Sequence, residues 1–401
     1  MPACAMSARL MKAPGAFVAP VTDADRAPAQ VMLLTPADLL ADHALAAEWD
    51  ALSACAAEPN PFAERWYLEA ALSSLPVDDV HIALVRATGQ YQGTLIGMIP
   101  LCIERSYAGL PLAHMRNWIN HNAFLGNPLI RRGAEKAFWQ ALLAHLDSRL
   151  DGALFFHIVS MNADGVTARA LESQCHSERR RHALVHHEER ALLEHGLSPD
   201  AYWEATVRGK KRKELRRQHK RLAEEGQLDF ARAEGEEGLD EWIDEFLALE
   251  IRGWKGSNRS ALACDDATSS LFRKALHGAA ATGKLERLTL RLNNRPIAML
   301  ANFLTPPGAF SFKTAFDEDY ARFSPGVLLQ IENLALLERD GIAWCDSCAA
   351  ADHPMIDSLW SGRRAIGRYS VAIGGPAKRA AFAALLAAER AKSKLKGRSL
   401  P

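Results

Sequence analysis

The sequence predicts an α/β (α+β mixed sheet) protein in which one topology occurs twice in tandem. Three observations lead there. Residues 309–316 alternate as a strand does, and a turn at Ser324-Pro325-Gly326 leads into an apolar-striped helix over 327–337. Around that unit, the second half of the chain reads as β-α-α-β-β-β-α-β-α-β. The first half repeats this order loosely, without obvious sequence identity, which argues for two copies of one unit.

In the second half, 227–233 is a short strand and 239–254 a helix with Trp242, Phe246, Leu249 and Ile251 near one face. A helix over 266–282 is closed by Gly283. Strands at 285–292, 296–304 and 309–316 are joined by an Asn293-Asn294 turn and by Thr305-Pro306-Pro307-Gly308, the turn chemistry of a three-stranded meander. After the helix at 327–337 come a strand at 342–346, a helix at 355–366 and a strand at 369–373. In the first half, strand 31–34 precedes helices 36–54 and 61–75. Strands 80–87 and 94–103 and a less regular stretch to Ile130 form its meander. Helix 135–150, strand 153–159, helix 167–175 and strand 181–187 complete it.

The 401 residues suffice for two domains with real cores. The boundaries read as an Ala/Pro-rich segment 1–27 expected to be disordered, a first domain 28–195, a basic connecting helix 196–225, a second domain 226–376, and an Ala-rich helix with a basic tail 377–401. Lys+Arg and Asp+Glu both number 48, so global charge points to no nucleic-acid or membrane partner. The seven cysteines (Cys4, Cys55, Cys102, Cys175, Cys264, Cys345, Cys348) are odd in number and scattered, which argues for a reducing compartment. No apolar run approaches the ~20 residues of a membrane span. The N-terminal apolar stretch is too short and too broken for a secretory signal, so the expected location is the cytoplasm.

Two local features remain. Ser324 is a suitable N-cap, Pro325 fits the first helical position, and Gly326 lets another group approach the backbone, so the turn is a candidate anion site. Between the halves, Arg208, Lys210, Lys211, Arg212, Lys213, Arg216, Arg217, Lys220 and Arg221 are offset only by Glu214. That run is either a solvated connecting helix, a cradle for a polyanionic donor, an anionic membrane surface or an RNA contact. RNA ranks last because no aromatic residues interleave the charges.

The element order, with its phosphate-type turn after the fourth strand, is similar to the GCN5-related N-acetyltransferase (GNAT) fold, and the duplication resembles two GNAT-like domains in tandem, as in the Fem aminoacyltransferases. Residues of about 200–375 resemble the cellulose-biosynthesis-acetyltransferase group of GNAT-type acyltransferases. The resembling blocks are Glu250 to Gly256, Phe312 to Glu318, Phe323 to Leu329, Asp346 to Ala349, and Asp352 to Ile356 followed by Trp360. The same broad group includes bacterial N-acyltransferases that make ceramide from a sphingoid base. The resemblance implies acyl-CoA as co-substrate, no metal, an amine acceptor, and a choice among a sphingoid base, an exopolysaccharide or cell-envelope sugar and a Fem-like aminoacyl transfer. A non-catalytic binding protein on the same scaffold is the remaining alternative. Where GNAT enzymes present Gln/Arg-x-x-Gly-x-Gly/Ala, this chain has Arg322-Phe323-Ser324-Pro325-Gly326-Val327, and Pro325 has no N–H to donate. Acyl carrier protein or aminoacyl-tRNA therefore stays open as donor.

The fold implies that the fourth and fifth strands splay apart, and that backbone N–H groups near Lys313, Thr314 and Ala315 polarise the thioester carbonyl. Arg322, Ser324, Gly326 and Val327 would hold the donor phosphates. An alkylammonium must lose a proton before attacking, which costs about 4 kcal/mol at neutral pH, so a general base is required. Asp346 at the end of the fifth strand and His353 in the following loop are candidates, the carboxylate orienting the imidazole. A structural role is the alternative for each: loop-amide binding by Asp346, and a cap made by Asp352-His353-Pro354. Glu250 is a third candidate, as base or ammonium ligand. Trp254 would wall the acceptor unless it anchors the core, and Lys255, Asp317 and Glu318 would contact the acceptor unless Lys313, Asp317 and Glu318 pair among themselves. Trp344-Cys345-Asp346-Ser347-Cys348 has the form of a thioredoxin-like redox motif, but no helix opens directly after it. The basic run would hold the protein against an anionic leaflet, placing it in the cytoplasm or peripheral to the inner membrane.

Overall fold

The computed structural model describes residues 28–88, 93–149 and 152–395; the expectations for 1–27 and for the end of the basic tail lie outside them. The first half runs β1 (Ala29–Leu34), α1 (Pro36–Ala41), α2 (His43–Ala54), α3 (Arg65–Ser74), β2 (His81–Ala87), β3 (Leu95–Glu104), β4 (His114–Asn117), β5 (Leu129–Ile130), α4 (Glu135–Ser148), β6 (Phe155–Asn162), α5 (Val166–Ser177) and β7 (His182–Glu194). Two helices follow, α6 (Pro199–Thr206) and α7 (Gly209–Glu224). The second half runs β8 (Leu228–Glu234), α8 (Leu239–Arg252), α9 (Trp254–Ser257), α10 (Asp266–Ala281), β9 (Leu285–Leu292), β10 (Arg295–Thr305), β11 (Gly308–Phe316), α11 (Pro325–Glu332), β12 (Trp344–Asp346), β13 (Gly362–Ala372) and α12 (Pro376–Leu395).

Local chemistry sets many of these boundaries. Thr35 and Asp38 form a capping box on α1, and Asp42 caps α2 through the amides of Ala44 and Leu45, so the single helix expected over 36–54 breaks in two. Ser198 caps α6 with Pro199 behind it, and the chain restarts at Arg208, so the expected connecting helix is also two helices. Asn293 and Asn294 both take positive φ, 50° and 65°, the primed turn that suits a hairpin's twist. The helix expected at 355–366 is the clearest correction. The chain makes only about a turn after Pro354, with Trp360 N–H bonded to Ile356 C=O, and becomes β13 at Gly362.

β13 also changes the domain picture. All strands join one mixed sheet in the order β1-β2-β3-β4-β6-β13-β7-β12-β11-β10-β9-β8, with β5 on β3. β13, from the second half, lies between β6 and β7 of the first, antiparallel to both. β7, from the first half, pairs with β12 of the second. The two halves thus exchange their final strands, and Tyr369 to Ile373 does not complete the sheet of its own half. Local alternation identifies a strand, but partner choice is a global matter of register and burial.

The halves share a core as well as a sheet. Phe62, Trp66 and Tyr67 of the first pack with Phe246, Phe272, Phe303 and Phe312 of the second. Gly278 on α10 makes this approach feasible, since a Cβ there would lie 2.9 Å from Trp66 Cβ. Among the described residues no helix is long and apolar enough to cross a membrane.

Candidate active site

β11 and β12 pair in parallel at only three positions, Gly308 with Trp344, Ala309 with Cys345 and Phe310 with Asp346. β12 then ends while β11 continues to Phe316, so the two strands part, and in this β11–β12 opening the β11 edge beyond Phe310 has no strand partner among the described residues. The β10–β11 register slips between Ala301 and Asn302, opposite Lys313 and Ser311, leaving Phe312 as the extra residue of a bulge. A buried polar chain fixes this point. Asn302 Nδ2 donates to Glu286 (2.8 Å) and to Asn333 (2.7 Å), Asn333 to Gln330 (3.1 Å), and Gln330 to Ser311 Oγ (3.3 Å), tying α11 to the strands.

Lys313 stands in the opening. Its Nζ donates to Asn122 Oδ1 at 2.8 Å and lies 5.1 Å and 5.7 Å from the ring centroids of Phe124 and Phe312. Asn122 belongs to the first half; Tyr67 Oη donates to its carbonyl at 2.7 Å, and its N–H donates to Asn120 Oδ1 at 2.8 Å. Burial pushes the Lys313 ammonium down to about 8; repulsion from Lys255 adds to this, and Glu250 opposes it. Among the described residues no carboxylate pairs with Lys313. The anticipated partners are engaged elsewhere: Asp317 with Arg295 (2.6 Å), and Glu318 with the Trp254 N–H at the start of α9 (2.6 Å).

The other expected residues sort by their partners. Glu250 is buried, with Oε1 accepting from Lys255 Nζ at 2.7 Å and Oε2 from the Leu262 N–H at 2.8 Å, so it holds Lys255 instead of standing free. Lys255 Nζ also reaches the Thr314 carbonyl at 3.5 Å, on the open stretch of β11. Trp254 is 54% exposed and does not anchor the core.

Asp346 is fully buried. Oδ2 accepts from Arg190 at 2.6 Å and Arg364 at 2.8 Å, and Oδ1 from the Cys348 N–H at 2.9 Å. Burial alone would raise its pKa, but the two guanidiniums outweigh burial and hold it below its ordinary value. With its oxygens so engaged, Asp346 neither orients His353 nor suits the role of base; it binds both exchanged strands, β7 through Arg190 and β13 through Arg364. His353 is half-buried in the loop after β12, and its Nδ1 has no hydrogen-bond partner among the described residues. Cys345 and Cys348 are both buried, and burial raises both thiols, which removes the thiolate that a redox role needs.

At the candidate donor turn, Ser324 is not the side-chain cap that local rules suggest. It takes left-handed φ (55°), closing the 3₁₀ turn Glu318–Phe323 through its N–H to Ala321, and its hydroxyl makes no cap bond. A capping side chain needs extended backbone, which this double duty forbids. The amides of Val327 and Leu328 donate to the Ser324 carbonyl, and Pro325 has none. Gly326 is therefore the one amide of the first turn with no backbone acceptor among the described residues. It is buried, and a Cβ there would meet Met355 Sδ at 3.0 Å and the Phe316 ring at 3.4 Å. The room expected above this glycine is occupied by those two side chains. Arg322 pairs with Glu225 at the end of α7 and lies over the Phe323 ring.

Sequence reasoning missed Asn122, Tyr67 and Arg190, each brought to the site from far along the chain, and Arg364, which follows Asp346 by 18 residues; a polar residue in an aromatic-rich stretch such as 118–124 was the available signal for the first of them. Residues 209–353 match the sequence model of the family described as "Acetyltransferase (GNAT) domain". No curated protein matches the chain in sequence. Among solved structures, FemX superposes with a TM-score of 0.53 at 11% identity, covering 85% of this chain and 96% of FemX. A conserved protein of unknown function from Bacteroides thetaiotaomicron VPI-5482 also gives 0.53, at 13% identity, covering 82% of this chain and 97% of that one. The chain has the architecture of two GNAT-like domains in tandem, and the match to the GNAT acetyltransferase model falls in its second half.

Proposed function

We propose that the protein is an N-acyltransferase that moves an acyl group from a thioester to an amine in the opening between β11 and β12. The observation that carries this reading is Lys313, an amine with pKa pushed down to about 8, beside a strand edge that has no strand partner among the described residues. In the proposed reaction, backbone N–H groups on the open edge of β11 donate to the thioester oxygen and stabilise the oxyanion as the acceptor nitrogen attacks. With a pKa near 8, roughly a tenth of Lys313 is neutral at pH 7, against less than a thousandth of an ordinary lysine. Its nitrogen takes the acceptor's proton, the C–S bond breaks, and the leaving thiolate takes that proton from the Lys313 ammonium, which restores the neutral amine. Glu250 and Lys255 position the β11 edge through the Thr314 carbonyl. His353 is the second candidate base, on the loop that also carries Met355 to Gly326.

The family match supports acyl-CoA as donor, with Gly326 and Arg322 at its phosphates and Met355 displaced on binding. The rings of Phe124 and Phe312 beside Lys313 support an apolar amine as acceptor, and a sphingoid base giving a ceramide is the member of that class we favour. The test is to incubate purified protein with sphinganine and a long-chain acyl-CoA and follow release of free thiol. Release with an amino sugar and acetyl-CoA alone would reassign the acceptor. Activity that requires aminoacyl-tRNA would reassign the donor.

A further inference from the structure

The basic helix α7 covers a second, unrelated concavity. A groove of about 810 Å³ lies between α7 and α11, floored by β8 and β9 at the far edge of the sheet. Trp203, Leu215, Phe230, Leu290, Leu328 and Ile331 give it apolar walls, and Arg216 and His219 stand on the α7 side. Its size falls within the roughly 300–1,000 Å³ of small-molecule sites. Phe230 is 38% exposed in its floor, and Leu197, just before α6, is 45% exposed.

Most of the α7 charges beside the groove are unanswered, and Asp200 and Glu332 are the acidic side chains that line it. Of the nine basic side chains from Arg208 to Arg221, only Arg212 and Arg216 pair with a carboxylate among the described residues, both with Glu204. α7 buries only Leu215 and Leu222, so most of its circumference faces solvent with like charge. Such a surface is costly in self-repulsion unless an anion meets it. A nucleic-acid backbone would satisfy the cations but has no use for an apolar groove, and α7 offers no aromatic platform for bases. An anionic amphiphile satisfies both.

We propose that α7 and the groove beneath it dock one anionic phospholipid, its acyl chain in the groove and its phosphate on the α7 cations, holding the protein on an acidic bilayer. The site is separate from the β11–β12 opening and does not depend on the reaction assigned there. The full chain is mixed with vesicles of phosphatidylcholine, with and without phosphatidylglycerol, and sedimented. Binding is expected with phosphatidylglycerol only, weakening as salt is added. Lys213→Glu with Arg217→Glu should weaken it by tenfold or more, since each surface cation contributes about a fivefold effect. Ala223→Trp on α7 and Ala335→Trp on the facing wall, both at exposed positions lining the groove, fill it without altering charge. Each should reduce vesicle binding and abolish the melting-temperature rise produced by monomeric short-chain phosphatidylglycerol. Unchanged vesicle binding in both tryptophan variants, an equal rise with inorganic phosphate, or tighter binding to single-stranded RNA than to the vesicles would each overturn the proposal.

Discussion

The two halves place the same pair of diverging strands in opposite states. In the first half β4 and β6 pair at Met115 with Phe156 and Arg116 with His157 and then part, but the gap is sealed. Asn117 fills it, accepting from the Val159 N–H (2.8 Å) and donating to the carbonyls of Val159 (3.1 Å) and Gly126 (3.0 Å). Gly126 is drawn in so closely that a Cβ would sit 2.2 Å from the Val159 oxygen. The helix after this meander, α4, has the Glu135 carboxylate on the Gly133 N–H, so an anion of the protein's own already occupies its start. In the second half the β11–β12 opening holds Lys313, covered by Asn122 and Phe124 of the other half, and among the described residues no side chain bridges the two strands there as Asn117 does. Under the proposed function, one topology serves as scaffold in one half and as site in the other, according to whether a local amide or a substrate completes the gap.

The comparison can be broken most directly at Lys313. Lys313→Met should lower kcat for acyl transfer by two to four orders of magnitude, on the order of a general base's contribution. In the parent protein kcat should climb about tenfold per pH unit and level off near pH 8, because the neutral amine is the active form. Full activity in the variant, or a limb that survives it, removes Lys313 from the chemistry.

Asp346→Ala comes next. It leaves Arg190 and Arg364 buried without a counter-charge, which costs about 3–5 kcal/mol of stability in urea unfolding. Because the folded carboxyl titrates below its unfolded value of about 4, its stabilisation is complete above that pH and is lost as pH falls through the lower, folded value. A loss well under 1 kcal/mol would mean the exchanged strands do not depend on this junction.

Asn117→Ala should cost about 1–3 kcal/mol by exposing the paired groups of the sealed gap, with turnover per folded molecule unchanged. A drop in kcat would show that the first half is more than scaffold. The smallest effect is expected for Glu135→Gln, about 0.3–1 kcal/mol from the lost charge at the α4 start, read as a small shift in thermal midpoint.

Much of the second half was legible because its signals are local. Asn293-Asn294 demands a primed turn, Gly283 closes α10, and the meander follows from alternation alone. Asp346 was legible as a strand-end carboxylate, but its role was not, since Arg190 lies 156 residues away. Lys313 was visible as a residue of the fourth strand. Its lowered pKa depends on burial under the 118–124 loop of the other half, which no spacing encodes. Ser324 satisfied the rules for a cap and failed them because one residue ends one turn while starting the next helix.

The exchange of β7 and β13 has a consequence for how the protein is made. The slot between β6 and β7 is filled by Gly362–Ala372, which follows β8 to β12 in the chain. Until a ribosome has delivered that segment, the first half carries two bare strand edges while β8 to β12 are made, a state open to pairing with other chains. A chain stopped at Ser361 is accordingly expected to be recovered as aggregate even though every residue before it is present, and a soluble, monomeric product would show that the slot closes without its strand. Completion of the first half thus waits until β8 to β12 of the second half have been made.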